Sequence, residues 1–230
     1  MLELQDITAG YGDTIIVRNV EFQVGDGEIV GIIGKNGVGK TTLLKAIVGI
    51  LTPKSGQIIF NNDEITTLPS SKRVRKGIGY VPQGRDVFSG LSVEENLIVG
   101  NSNNETQAVY NRVYEYFPIL KERKDQDADT LSGGQQQMLA IGRALVRDPD
   151  LLVIDEPSEG IQPSIVQSIT DDLTKINSDY DTTIVFVEQN LSVIQKLADR
   201  CYAMEQGKIV NKITNKQLDD TDRLAEYLIV

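Results

Sequence analysis

Histidine is absent from all 230 residues, so no step that needs an imidazole, as proton shuttle, metal ligand or pH switch, is open to this chain. Cysteine occurs once. Cys201 lies among strand-like residues and reads as a small buried side chain, and a lone thiol excludes a disulfide framework within the chain, which suits a reducing cytosol. Long apolar runs are missing as well: no window approaches the roughly 18 residues that suggest a membrane span. The start, Met1-Leu2-Glu3-Leu4-Gln5-Asp6, has neither the basic nor the apolar region of a secretion signal, so a soluble chain that stays where it is made is expected. Positive charge is in deficit. With 23 Lys and Arg against 33 Asp and Glu the net charge is -10, which argues against nucleic acid as the main partner, because a polyphosphate binder needs a basic footprint.

What is present is strong patterning. Residues 1–30 alternate apolar and polar positions (Leu2, Leu4, Ile7; Ile15, Val17, Val20, Phe22, Val24) with turn signals at Gly10, Gly12 and Gly25-Asp26-Gly27, which predicts an antiparallel strand layer. Tyr11 falls in the glycine-flanked turn, where it serves either as a platform for a nucleobase or as a shield for the sheet edge. Residues 49–65 read as a turn and hairpin, and Lys72, Arg73, Arg75 and Lys76 as the solvated face of a short helix. A buried strand, Ile78 to Val81, leads to Pro82-Gln83-Gly84. Beyond it the chain turns helical and polar, over Val93 to Val99, Glu105 to Phe117 and Gln135 to Val146. The strand Leu151 to Glu156, a helix from Pro163, the strand Thr183 to Glu188, a helix Leu191 to Ala198, two further strands and a last helix near Leu228 complete the pattern. Strands alternating with helices imply an α/β fold with a mostly parallel, sandwiched sheet, carrying an inserted helical subdomain at about 84–149.

The chemistry starts at Gly34-Lys35-Asn36-Gly37-Val38-Gly39-Lys40-Thr41-Thr42, between the apolar run Ile29 to Ile33 and the amphipathic run Leu43 to Ile50. Gly34-x4-Gly39-Lys40-Thr41 is the Walker A spacing. Glycines allow positive φ and leave room for a phosphate, successive backbone N–H groups form an anion nest, and the helix that follows offers its positive end. Lys40 would reach the β- and γ-phosphates and the Thr41 hydroxyl would hold Mg2+. A glycine-rich turn joining a strand to a helix is the plain alternative. Leu151-Leu152-Val153-Ile154 then runs into Asp155-Glu156, delivering two carboxylates at the C-terminal edge of a buried strand, Asp155 for Mg2+ and Glu156 as general base toward water. Leu131-Ser132-Gly133-Gly134-Gln135 opens another helix with a serine at a cap-like position and makes a second anion site. One chain binding one nucleotide has no use for two, so Ser132, Gly133, Gly134 and Gln135 are expected to grip the γ-phosphate held by another subunit.

In this order, the Walker A loop, Gln83 after its strand, Leu131 to Gln135 and the apolar run into Asp155-Glu156 closely resemble the ATP-binding subunits of ABC transporters, over essentially the whole chain. The resemblance implies a single nucleotide-binding domain over 1–230 of the P-loop NTPase (RecA-like) kind. It implies ATP and Mg2+ as ligands and a head-to-tail dimer, with itself or with a related ATPase subunit, that sandwiches two ATPs. Tyr11 matches the adenine-stacking aromatic, and Gln83 the glutamine that touches Mg2+ and the attacking water. Residues Gly84 to Gly100, with Arg85 and Phe88 as exposed candidates, match the surface that receives a transmembrane permease subunit at the cytoplasmic face of the membrane. The transported solute does not touch such a subunit.

Two departures stand out. Where the family usually has a histidine against the γ-phosphate this chain has Gln189, which donates a hydrogen bond but carries no charge, so slow, Glu156-dependent hydrolysis is expected. Gln162 stands where many members carry an aspartate, which puts coupling between the two sites in doubt. The run Glu188-Gln189-Asn190 and the compact C-terminus look like the smaller ATPase subunit of importers for branched-chain amino acids, amides and urea. Val81-Pro82-Gln83-Gly84-Arg85 with Glu159-Gly160-Ile161-Gln162-Pro163 tilts the resemblance toward the urea branch. Competing readings are a soluble ABC ATPase of repair or translation, against which stand the absence of sustained heptads between Gln83 and Leu131 and of a basic linker, and a nucleotide-gated scaffold, against which stands Glu156.

Overall fold

The computed structural model describes residues 1–100 and 107–228. Strands β1 (Leu2–Tyr11) and β2 (Thr14–Val24) form the expected antiparallel hairpin, and the chain then enters β3 (Ile29–Ile33) and helix α1 (Lys40–Ile47). The hairpin β4 (Ser55–Phe60) and β5 (Asp63–Glu64) joins the first two strands in a four-stranded sheet of order β2-β1-β4-β5. After α2 (Ser70–Arg75) and β6 (Ile78–Val81) come the helices α3 (Val93–Gly100), α4 (Gln107–Tyr116), α5 (Pro118–Glu122) and α6 (Gly133–Leu145). The helix expected from Glu105 is therefore seen from Gln107, since 101–106 lie outside the described residues. The chain returns through β7 (Leu151–Asp155), α7 (Pro163–Tyr180), β8 (Thr183–Glu188), α8 (Leu191–Leu197), β9 (Arg200–Glu205), β10 (Lys208–Ile213), α9 (Asn215–Leu218) and α10 (Thr221–Leu228).

The second sheet has the order β10-β9-β3-β8-β7-β6, with β9, β3, β8, β7 and β6 parallel and β10 antiparallel at the edge. Its central strands read as unbroken apolar runs because both faces are covered. Along β7, Leu151 and Val153 pack with the antiparallel sheet and α1, while Leu152 and Ile154 pack with α6, α7 and α8. Two apolar cores thus clamp the strand, and all five of its residues are buried, Asp155 included. A rigid strand with one carboxylate forced into its buried end is the first step in building the site.

One expectation fails in a useful way. Arg73, read as part of a solvated basic face, is completely buried. Its guanidinium donates to the carbonyls of Leu68 (2.9 Å), Thr66 (2.8 Å), Ala46 and Ile47 (both 2.7 Å), so it caps the C-terminal carbonyls of α1 and ties that helix to α2. Burial brings its pKa down to about 10, which still leaves it cationic at neutral pH. The other members of the cluster, Lys72, Arg75 and Lys76, are exposed as expected.

Candidate functional site

The loop after β3 is shaped by contacts that exclude a side chain. At Gly34 (φ 154) a Cβ would collide with the carbonyl of Met204 on β9, so the chain passes the sheet edge at a distance only glycine permits. Lys40 is the first residue of α1 and is buried, and its Nζ curls back to the carbonyls of Gly34 (2.7 Å) and Lys35 (3.0 Å). Burial lowers the Lys40 pKa, and the nearby carboxylates of Glu156, Asp155 and Glu188 work against that effect. Asn36 and Gly37 remain exposed at the loop tip, and Val38 packs inward on the β2–β3 core.

At the ends of the parallel strands the carboxylates converge on this loop. Asp155 accepts a bond from the Thr41 hydroxyl (3.2 Å) through Oδ1, while Oδ2 is buried without a hydrogen-bond partner. Burial raises its pKa to about 6, opposed by the Thr41 bond and reinforced by the Glu156 charge. A buried carboxylate oxygen lacking a partner, beside a threonine hydroxyl, is the donor set that a hard divalent cation such as Mg2+ takes. Glu156 sits in the left-handed region (φ 48), a costly backbone for a residue with a Cβ. Its Oε1 lies 3.9 Å from the Lys40 ammonium and accepts from the Gln189 amide at 2.9 Å. Its Oε2 accepts from the Gln83 amide at 3.2 Å, and the same amide also reaches Glu159 at 3.0 Å. Both oxygens of Glu156 are thus held by carboxamides from the ends of β6 and β8.

Lys40, Thr41, Gln83 and Glu156 share a cleft of about 330 Å3 with Tyr11, Ile16, Asn36, Gly37, Gly39 and Thr42. Tyr11 ends β1 and is half exposed, so its ring is free at the cleft wall. A larger depression on the antiparallel sheet is bordered by Glu3, Asp6 and Glu21, which would repel a phosphate. None of Ser132, Gly133, Gly134 and Gln135 lines the loop cleft. Ser132 is the exposed N-cap of α6 in a reciprocal capping box, accepting from the Gln135 N–H (3.4 Å) while the Gln135 side chain accepts from the Ser132 N–H (3.1 Å). Gly134 is buried, and a Cβ there would strike the Ile165 side chain on α7.

Arg85, Glu159 and Glu188 gain a place that sequence reasoning did not provide. Arg85, expected as an exposed docking residue, is half buried and donates to the carbonyls of Glu159 (3.0 Å) and Gly160 (2.9 Å), against Gly133. Phe88 is exposed as expected, with the Arg143 guanidinium 4.6 Å from its ring centroid. Glu159 shares the Gln83 amide with Glu156. Glu188, only 2% exposed, accepts backbone N–H groups from Ser158, Gln189 and Asn190. A charged residue closing an otherwise apolar strand was the available signal for Glu188, whereas nothing local marks Arg85.

With this geometry in place, similarity to known proteins acquires a structural meaning. A family model described as ABC transporter matches residues 17–159. The high-affinity branched-chain amino acid transport ATP-binding protein BraG of Pseudomonas aeruginosa is 45% identical over 221 residues, 95% of this chain and 94% of that protein. A probable branched-chain amino acid transport ATP-binding protein, LivF of Archaeoglobus fulgidus, is 37% identical over 229 residues, covering 98% of this chain and 97% of its own. Among solved structures, the ATP-binding cassette MJ1267 of an ABC transporter superposes with a TM-score of 0.86 at 26% identity, over 100% of this chain and 99% of that one. The dimeric, post-hydrolysis cassette MJ0796, bound to ADP and Pi, superposes with a TM-score of 0.81 at 25% identity, over 94% and 99%.

Proposed function

This chain belongs to the ABC transporter family as an ATP-binding subunit and ATPase, and from that premise we propose that it energises a membrane importer of branched-chain amino acids, working as a dimer at the cytoplasmic face. The observation that carries the reading is the Glu156 carboxylate, 3.9 Å from the Lys40 ammonium and gripped by Gln83 and Gln189 at the mouth of the phosphate loop.

ATP enters with its adenine against Tyr11 and its phosphates over the backbone N–H groups of residues 34–42. Lys40 then exchanges the carbonyls of Gly34 and Lys35 for the β- and γ-phosphate oxygens, an exchange favoured because a carbonyl is a weaker partner for a buried ammonium than a phosphate. Thr41, Asp155 and Gln83 would hold Mg2+, which supplies charge neutralisation across the β- and γ-phosphates when bound. Glu156 accepts a proton from water as the water oxygen bonds to the γ-phosphorus and the bond to the ADP oxygen breaks. Gln189 lies on the side of Glu156 next to Lys40 and donates to the γ-phosphate without adding charge, which makes hydrolysis slow.

Because Ser132 to Gln135 lie outside the cleft on an exposed helix start, the γ-phosphate is enclosed only when the same residues arrive from a second subunit, whether identical or a related ATPase. A permease subunit docks near Gly84–Gly100, where Phe88, Ile98 and Val99 leave large apolar surface exposed. Among the described residues no helix is long and apolar enough to cross a membrane. The Val81–Arg85 and Glu159–Pro163 runs favour a second reading, urea or a short amide as the solute.

The test has two stages. Purified protein with Mg2+ and ATP should release phosphate, and Glu156→Gln should abolish that release; equal rates in the two proteins would sink the assignment. Reconstitution with the cognate permease and binding protein then measures ATP-dependent uptake of labelled leucine, isoleucine and valine against urea. Uptake of urea alone would replace the branched-chain reading with the second one. A monomer that hydrolysed ATP at full rate would refute the shared site.

A further inference from the structure

We propose that Glu188 is a positioning residue that sets the geometry of the Glu156 base through two arms, a proposal that rests on Glu156 acting as that base. Glu188 is the last residue of β8 and is buried, and its carboxylate is held by backbone donors. Oε1 accepts the Ser158 N–H at 2.9 Å, and Oε2 accepts the N–H groups of Gln189 (2.8 Å) and Asn190 (2.9 Å). The first arm is backbone. Ser158 stands two residues after Glu156, whose own N–H donates to the Val187 carbonyl at 3.1 Å, so the left-handed turn at Glu156 is pinned on both sides by the end of β8. The second arm is a side chain: the Gln189 backbone that Glu188 holds carries the amide that donates to Glu156 Oε1 at 2.9 Å.

A strained turn keeps its shape only while its surroundings hold it, and here one carboxylate closes three donors from two loops at once. Glutamine cannot replace it. Of its two terminal atoms one is an NH2, so either Ser158 or the pair Gln189 and Asn190 would face a donor instead of an acceptor. The phosphate loop has no hydrogen bond to Glu188 and should be untouched, although the Glu188 charge does act on Lys40 over a longer range.

Phosphate release and fluorescent-nucleotide binding in wild type, Glu188→Gln and Glu188→Asp test this. Displacing the base by about 1 Å is expected to lower kcat by up to about 10²-fold in Glu188→Gln, with nucleotide Kd near wild type. Glu188→Asp, which keeps the two acceptors on a shorter arm, should fall between them. In a Glu156→Gln background the Glu188→Gln change should add nothing to the residual rate. An unchanged kcat in Glu188→Gln, with Glu156 still essential, would overturn this proposal alone, and loss of Glu156 dependence in the wild type would overturn it together with the base assignment. If Glu188→Gln does not fold, Glu188→Asp decides: a fall in kcat at constant Kd supports the two arms, and an unchanged kcat or a parallel loss of affinity overturns them.

Discussion

Asp155→Asn should make the nucleotide-free protein more stable at neutral pH, although it removes the residue proposed to meet Mg2+. The magnitude follows from burial. The Asp155 carboxyl is 1% exposed, with Oδ2 unpartnered, and its pKa rises from 3.8 to about 6. Below the unfolded value the group is protonated in both states and adds no pH dependence. As pH rises through 4 the unfolded chain releases the proton while the folded chain retains it, so folding weakens until the folded group also ionises near 6. At 1.36 kcal/mol per pH unit that gap corresponds to roughly 3 kcal/mol carried by the wild type above pH 7. Asparagine keeps an acceptor for Thr41 and carries no charge to desolvate. Urea unfolding with EDTA present, from pH 4 to 8, should show the two proteins close in stability at pH 4, the variant drawing ahead as pH rises to about 6, and a margin that levels off above that. Mg2+ with ATP should reverse the order, since only the carboxylate gains from the cation. A difference that did not vary with pH, or a wild type more stable at pH 8 without ligand, would refute the reasoning.

Arg73→Ala should cost about 3–5 kcal/mol in urea unfolding, because four buried carbonyls lose their donor, and Arg73→Lys should recover only part, having three donors and no planar fork. Tyr11→Ala should weaken nucleotide binding roughly 5- to 150-fold, the equivalent of about 1–3 kcal/mol of base stacking, with Tyr11→Phe near wild type in a fluorescence titration. Gln189→His should raise phosphate release and introduce a pH-rate limb near the usual imidazole range, about 6.5, that the histidine-free wild type lacks. Gly134→Ala should lower the melting temperature through its clash with Ile165 and thereby perturb the start of α6, read by thermal unfolding without nucleotide.

Local chemistry explains how much was legible. The hairpin of residues 2–24, the strands β3, β6, β7 and β8 and the phosphate loop were readable because period-two alternation, unbroken apolar runs and glycine spacing are properties of neighbours in the chain. Lys40, Thr41, Asp155 and Glu156 were singled out by the same means, the roles of Gln83, Gln189 and Tyr11 came from the family resemblance, and the fold brings all seven to the ends of β1, β3, β6, β7 and β8. Arg73 misled because a run of basic residues looks solvated until a helix C-terminus from 26 residues upstream is folded over one of them. Arg85 misled in the same way, since its acceptors lie 74 and 75 residues further on.

The sequence by itself determined which chemistry is available: a phosphate nest, a lysine, a threonine, two carboxylates and two amides, with imidazole excluded. Those are matters of residue type and short spacing, and short spacing dictates local conformation. Tertiary structure alone decided how the groups address one another. It buried Asp155 far enough to raise its pKa to about 6, turned Glu156 into a left-handed backbone between two glutamines, and set Glu188 under both loops. Such relations depend on strand order and on desolvation, which no stretch of sequence contains. The same fold placed Ser132 outside the cleft it is proposed to complete from a second subunit.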